Sequence, residues 1–133
     1  MKRSTAIGLL LLAGCAHTPD TYTHDTRMHD TQASERLMRQ GSRAMMSSTQ
    51  NSFLAASCYA TAVNNRGDGF TANAARIDAE ERYRVAVRHT RHPEDPIAII
   101  NVAPAGTGST AELFFRPVAG SIEGFRRFLA DRC

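Results

Sequence analysis

The stretch from Glu81 to His89, ERYRVAVRH, decides the fold. Tyr83, Val85 and Val87 alternate with Arg82, Arg84 and Arg88, and a period of two is the repeat of a strand with one buried and one solvated face. One face is therefore apolar and the other carries a ladder of guanidinium groups. Downstream, residues 97–103 read IAIINVA, apolar on both faces except at Asn101, as expected of a strand in the middle of a sheet. The loop PAGTGS, 104–109, supplies Gly106 and Gly108 where a hairpin needs positive φ. In TAELFFR, 110–116, Ala111, Leu113 and Phe115 point one way and Glu112, Phe114 and Arg116 the other. Upstream, FTANAARIDA is consistent with either a short edge strand or a helical turn. An antiparallel meander of three to four strands is the simplest connection.

Helical patterns flank this meander. In SSTQNSFLAASCYATAVNN, Ser48 or Thr49 is placed to cap the start, with Leu54, Cys58 and Ala62 on one stripe and Phe53, Ala56, Ala60 and Val63 beside it. Asn64, Asn65, Gly67 and Gly69 stop it. The chain ends SIEGFRRFLADRC, where Ser121 caps a helix whose Ile122, Phe125, Phe128 and Leu129 face inward. Ahead of both, Gln32 to Ser48 also reads as helical, with Leu37, Met38, Ala44, Met45 and Met46 among Arg36, Arg39 and Arg43, weakened in the middle by Gly41-Ser42. The expected fold is α+β and two-layered. An antiparallel meander carries an N-terminal and a C-terminal helix on one face.

Cysteine use supports this arrangement. Cys133 lies four residues after Leu129, on the inner stripe of the last helix, and Cys58 belongs to the stripe of the earlier one. Both helices seek the same apolar sheet face, so a Cys58–Cys133 disulfide is expected. A third cysteine, Cys15, has a separate role.

The chain opens MKRSTAIGLLLLAGCAHTPD, with Lys2 and Arg3 ahead of an apolar run from Ala6 to Ala13. A membrane span needs about 20 apolar residues, so the run is too short to cross. A positive start, a short apolar middle and small residues are the layout of a signal peptide. Leu12-Ala13-Gly14-Cys15 resembles a bacterial lipobox. That resemblance implies removal of residues 1–14, a diacylglycerol thioether on Cys15 and a new N-terminus there. Two or more acyl chains hold a protein stably at a membrane where one does not. Ala16 in place of Asp after the cysteine implies sorting to the outer membrane, on its inner leaflet and facing the periplasm. In that oxidising compartment a Cys58–Cys133 bridge is chemically at home.

Without Lys2 and Arg3, the chain has 14 Arg, no Lys and 13 acidic residues, so the formal charge falls from +3 to +1. Nothing here builds the one-sided basic field of a nucleic-acid binder. Residues 15–33 include HTPDTYTHDTRMHDTQ, in which Asp-Thr recurs every five residues at 20, 25 and 30. That period fits neither helix nor strand. The composition fits a solvated linker between lipid and domain. Its histidines, His17, His24 and His29, are weak candidates for a metal, since short His-rich tracts bind zinc or copper. The folded domain is then residues 34–133, small enough for one modest core.

The mature chain also resembles small proteobacterial envelope lipoproteins in which a helix bearing one cysteine precedes a β-meander and a last helix ending in Cys. The resemblance rests on Cys58, Tyr83-Arg84-Val85-Ala86-Val87, Asn101-Val102-Ala103-Pro104 through Gly108-Ser109, Phe114-Phe115-Arg116 and Cys133. It spans roughly residues 50 to 133 and implies a fold and a compartment, with no activity.

The remaining motifs point away from catalysis and cofactors. PAGTGS is followed by a strand, whereas a phosphate cradle needs a helix N-terminus there. Arg66-Gly67-Asp68 lies in a turn. His89, His92, Glu94 and Asp95 fall in a charged turn with no partnered serine or free thiol. The expected function is a non-catalytic, membrane-tethered binding or accessory module. Its sheet face of Arg82, Arg84, Arg88 and Arg116 with Glu112 would meet an acidic protein partner. Two alternatives remain open from sequence: an inhibitor or immunity protein against a cell-wall hydrolase, and a periplasmic hydrolase using His89 or His92.

Overall fold

The computed structural model describes residues 32–116 and 120–133. Cys15, the linker as far as residue 31 and its three histidines lie outside them, and the last two residues of the expected 15–33 linker, 32 and 33, belong to a helix instead. Helix α1 covers residues 32–40, followed by β1 Ser42–Ser48, α2 Ser52–Asn64, β2 Phe70–Arg76, β3 Tyr83–His89, β4 His92–Ala105, β5 Gly108–Phe115 and α3 Ile122–Arg132. The five strands form one antiparallel sheet in the order β1-β5-β4-β3-β2.

Strands β2 to β5 are the expected meander, with FTANAAR forming its edge strand. Two-residue turns make its β3–β4 and β4–β5 hairpins. Gly106 holds φ at 58° in the second, a backbone region that resists a side chain. The register places Val85 opposite Ile100 and Ile100 opposite Leu113. These, with Val87, Ala98, Val102, Ala111 and Phe115, line the inner face. Helix α2 lies beneath β2 and β3 and α3 beneath β1, so the two helices share one sheet face as expected. Cys58 and Cys133 form a disulfide between them, with Cα atoms 5.8 Å apart.

Three helical expectations need correcting. The segment Ser42–Ser48 is a strand rather than a second piece of helix, pairing with β5 from Ser42↔Phe115 to Ser48↔Ser109. Gly41 ends α1: its amide donates to the Leu37 carbonyl at 2.7 Å, and a Cβ there would crowd the same oxygen. Beyond it, Met46 turns inward and Met45 outward, an alternation that serves a strand, and the open edge of β5 overrides a weak helical preference. In α2, the buried stripe is Ser52, Ala55, Ala56, Tyr59, Ala60, Ala62 and Val63, while Phe53 and Leu54 are 57% and 49% exposed. Small residues let the helix approach the sheet closely, so alanines rather than the large side chains set the phase. The cap is Asn51, whose Oδ1 accepts from the Leu54 amide at 2.9 Å, not Ser48 or Thr49. In α3, Ser121 does cap, and Phe125 and Leu129 are buried with Ile122 and Phe128 partly so.

The outer sheet face is not left bare. Leu37 of α1 packs on Ile99 and Phe114, with Met38 and Ala86 alongside. Helix α1 thus covers one half of that face and leaves the other half open. No helix among the described residues is long and apolar enough to cross a membrane.

Candidate functional site

The open half of the outer face is built on one cross-strand row: Met45, Glu112, Asn101, Arg84 and Ala75 stand opposite one another from β1 to β2. Around this row lies a concavity of about 350 Å³ that is also lined by Ile77, Arg82 and Thr110. Two apolar side chains stand exposed at its margins, Met45 at 61% and Ile77 at 45%.

Of the five residues expected to form a charged ladder, the concavity brings together three: Arg82, Arg84 and Glu112. A register shift after Val87 carries Arg88 to the β3–β4 hairpin, where its guanidinium donates to the Pro93 carbonyl at 2.8 Å. Arg116 sits at the other end of β5, lining a separate recess with Leu37 and Gln40 of α1. It is held by the Pro96 carbonyl at 3.1 Å and Asp95 at 3.6 Å. The continuous ladder is therefore divided, because Ile99 and Phe114 make the middle of that face apolar and α1 covers them.

Most of these charges are answered locally. Arg82 is clamped by Asp78, whose carboxylate also accepts from the Glu80 amide at 2.9 Å. The Arg82 hydrogen bond holds the Asp78 carboxyl below its ordinary value. Glu112 pairs with Arg43 at 3.5 Å, and the Arg43 guanidinium lies over the Phe114 ring at 5.1 Å. Arg84 differs. Its Nε donates to Asn101 Oδ1 at 2.8 Å, and no carboxylate among the described residues lies within ion-pair distance. Burial lowers its pKa, offset in part at longer range by Glu35 of α1. A half-buried cation therefore stands at the centre of an open concavity, wanting a carboxylate.

The other candidates take structural roles. His89 Nδ1 accepts from the Arg91 amide at 3.1 Å, closing the hairpin turn, and its ring meets Phe70 edge-on at 5.2 Å. His92 is 3.9 Å from Glu94, both on the surface. Arg66 and Asp68 of the RGD tripeptide pair with each other at 2.8 Å, and Arg66 also lies over the Phe128 ring. Among the described residues no group of three His, Cys, Asp or Glu side chains is placed to hold a metal. Ile77 carries no sequence signal for this site, and Met45, which the sequence favours as a packing residue over a partner-binding one, is marked by its strand alternation with Met46. Comparison of the chain with protein-family models, curated proteins and solved structures gave no match.

Proposed function

We propose that this protein is a lipid-anchored, non-catalytic binding module of the bacterial envelope, tethered through Cys15. It takes a protein partner on the open half of its outer sheet face. The observation that carries the reading is Arg84: half-buried, bonded to Asn101 alone among the described residues, in a concavity with the exposed side chains of Met45 and Ile77 at its margins. Buried arginine anchors ringed by apolar contact are characteristic of interface hot spots. The complementary group is a carboxylate on the partner, set beside an apolar side chain. This is a narrower form of the acidic-partner expectation, since Arg82, Arg88 and Arg116 are already held by groups of the same chain. The disulfide supports an address outside the reducing cytosol.

The test places a photo-crosslinking residue at Ile77 in the full-length chain, in its native envelope. A discrete adduct is expected that is lost with Arg84→Glu and kept with Arg116→Glu. An adduct indifferent to Arg84 rejects the site. Should the adduct be a cell-wall hydrolase, the same surface serves as an inhibitor, and the purified Cys15→Ser chain will block lysis by that enzyme.

A further inference from the structure

The two edges of the sheet are treated differently. At the β2 edge, the Asn64 side chain of α2 lies against the middle of the strand. It accepts from the Ala72 amide at 2.8 Å and donates to the Ala72 carbonyl at 2.9 Å. That edge is plugged. Among the described residues the β1 edge has no such plug. Residues of an antiparallel ladder alternate between the two neighbouring strands, and the Arg116 amide bonds the Ile97 carbonyl across β4–β5. By that alternation Phe114, Glu112 and Thr110 face β4, while Phe115, Leu113, Ala111 and Ser109 face β1. Their β1 partners are Ser42, Ala44, Met46 and Ser48. The backbone groups of Arg43, Met45 and Ser47 therefore point to the open edge, and all three residues are exposed.

Apart from the charge of Arg43, this edge lacks the usual protections. It is seven residues long, with no proline and no lysine, and its register with β5 is unbroken. It is also self-complementary. An antiparallel two-fold pairing that satisfies the outward groups centres on Met45 opposite Met45 of a second copy. Arg43 then stands opposite Ser47 and never opposite another arginine. On the inner face Ala44 stands opposite Met46, small against large, and Ser42 opposite Ser48. The side chain of Met45, 61% exposed in one copy, then stands beside its symmetry mate at the seam between the two copies.

We infer that the β1 edge pairs with the β1 edge of a second copy, forming a two-fold dimer with one continuous ten-stranded sheet. The two α1 helices then lie on the same face of that sheet. The two outer-face concavities become a pair.

Cysteine substitution reads the register directly. Facing residues of a hydrogen-bonded pair have Cα atoms about 5.5 Å apart, within disulfide range. Full-length chain carrying Met45→Cys, oxidised in its own membrane, should give a covalent dimer on non-reducing gels. Arg43→Cys alone and Ala75→Cys on the far edge should not, whereas Arg43→Cys and Ser47→Cys expressed together should. Charge gives a second reading that spares the fold. Ser47→Glu, facing Arg43 of the other copy, should tighten dimerisation about fivefold by analytical ultracentrifugation in detergent, and Ser47→Arg should weaken it similarly. Met45→Cys chains that stay monomeric, or an association unmoved by Ser47→Glu and Ser47→Arg, would overturn the proposal. Neither result bears on the Ile77 adduct, so this proposal and the binding reading fail separately.

Discussion

Cys58 and Cys133 close a loop of 75 residues between the middle of α2 and the last residue of the chain. The bond pins α3 to α2 across the sheet face they share. It also anchors the C-terminus, whose carbonyl oxygen accepts from Ser48 Oγ at 3.3 Å. Removing it with Cys58→Ser and Cys133→Ser together should cost about 4 kcal/mol in the chain-entropy account. Urea denaturation with and without reductant measures this. A loss under 1 kcal/mol would mean that the helices hold their places without the bridge.

Helix α1 docks through Leu37, with Met38 alongside. Leu37→Ala removes the contact that covers Ile99 and Phe114 and should destabilise the domain by about 2 kcal/mol. Hydrogen exchange should quicken over 32–40 and leave α2 protected. Uniform acceleration across the domain would show that α1 is no separate cover.

How much of this was legible beforehand follows from the same residues. The alternation of Tyr83, Val85 and Val87 and the two-faced apolar run around Ile99 and Ile100 reflect burial, which sequence records directly; the Cys58–Cys133 bridge forms although Cys58 lies off the buried stripe of α2. The strand Ser42–Ser48 was hidden because its partner, β5, lies more than 60 residues away, and local pattern cannot register a vacant edge. Phe53 and Leu54 are large yet exposed, because close helix–sheet contact selects alanine for the buried stripe, and size alone does not mark burial. The division of the arginine ladder was hinted at by Phe114 and Ile99, apolar residues on a face otherwise polar. The distinctive position of Arg84 depends on where Asp78 and Asp95 fall in space, and no spacing reveals that.

Ser109 is 3% exposed, and its hydroxyl finds no hydrogen-bond partner among the described residues. A buried unsatisfied hydroxyl costs desolvation with nothing returned. Ser109→Ala should therefore leave the fold intact and stabilise it by about 1 kcal/mol in urea denaturation. Destabilisation by a similar amount would show that the hydroxyl is bonded after all.

The Asp78–Arg82 clamp sets a pH dependence. Asp78 has its pKa lowered in the folded protein, so it favours the folded loop above the ordinary value of 3.8, and this contribution fades as pH falls through the lowered one. The Glu80 amide, which donates to Asp78 Oδ1 at 2.9 Å, should shift by NMR on acidification with a midpoint below 3.8. In Asp78→Asn that shift should vanish. A midpoint above the ordinary value would contradict the clamp.

The proposed lipid anchor requires a chain that begins at Cys15, and intact-mass spectrometry of protein extracted from its native membrane tests that most directly. The prediction is a polypeptide starting at Cys15 whose mass exceeds that of Cys15–Cys133 by a diacylglycerol and one further acyl chain. A mass matching an unacylated chain, whether it keeps residues 1–14 or is cut elsewhere, would contradict it.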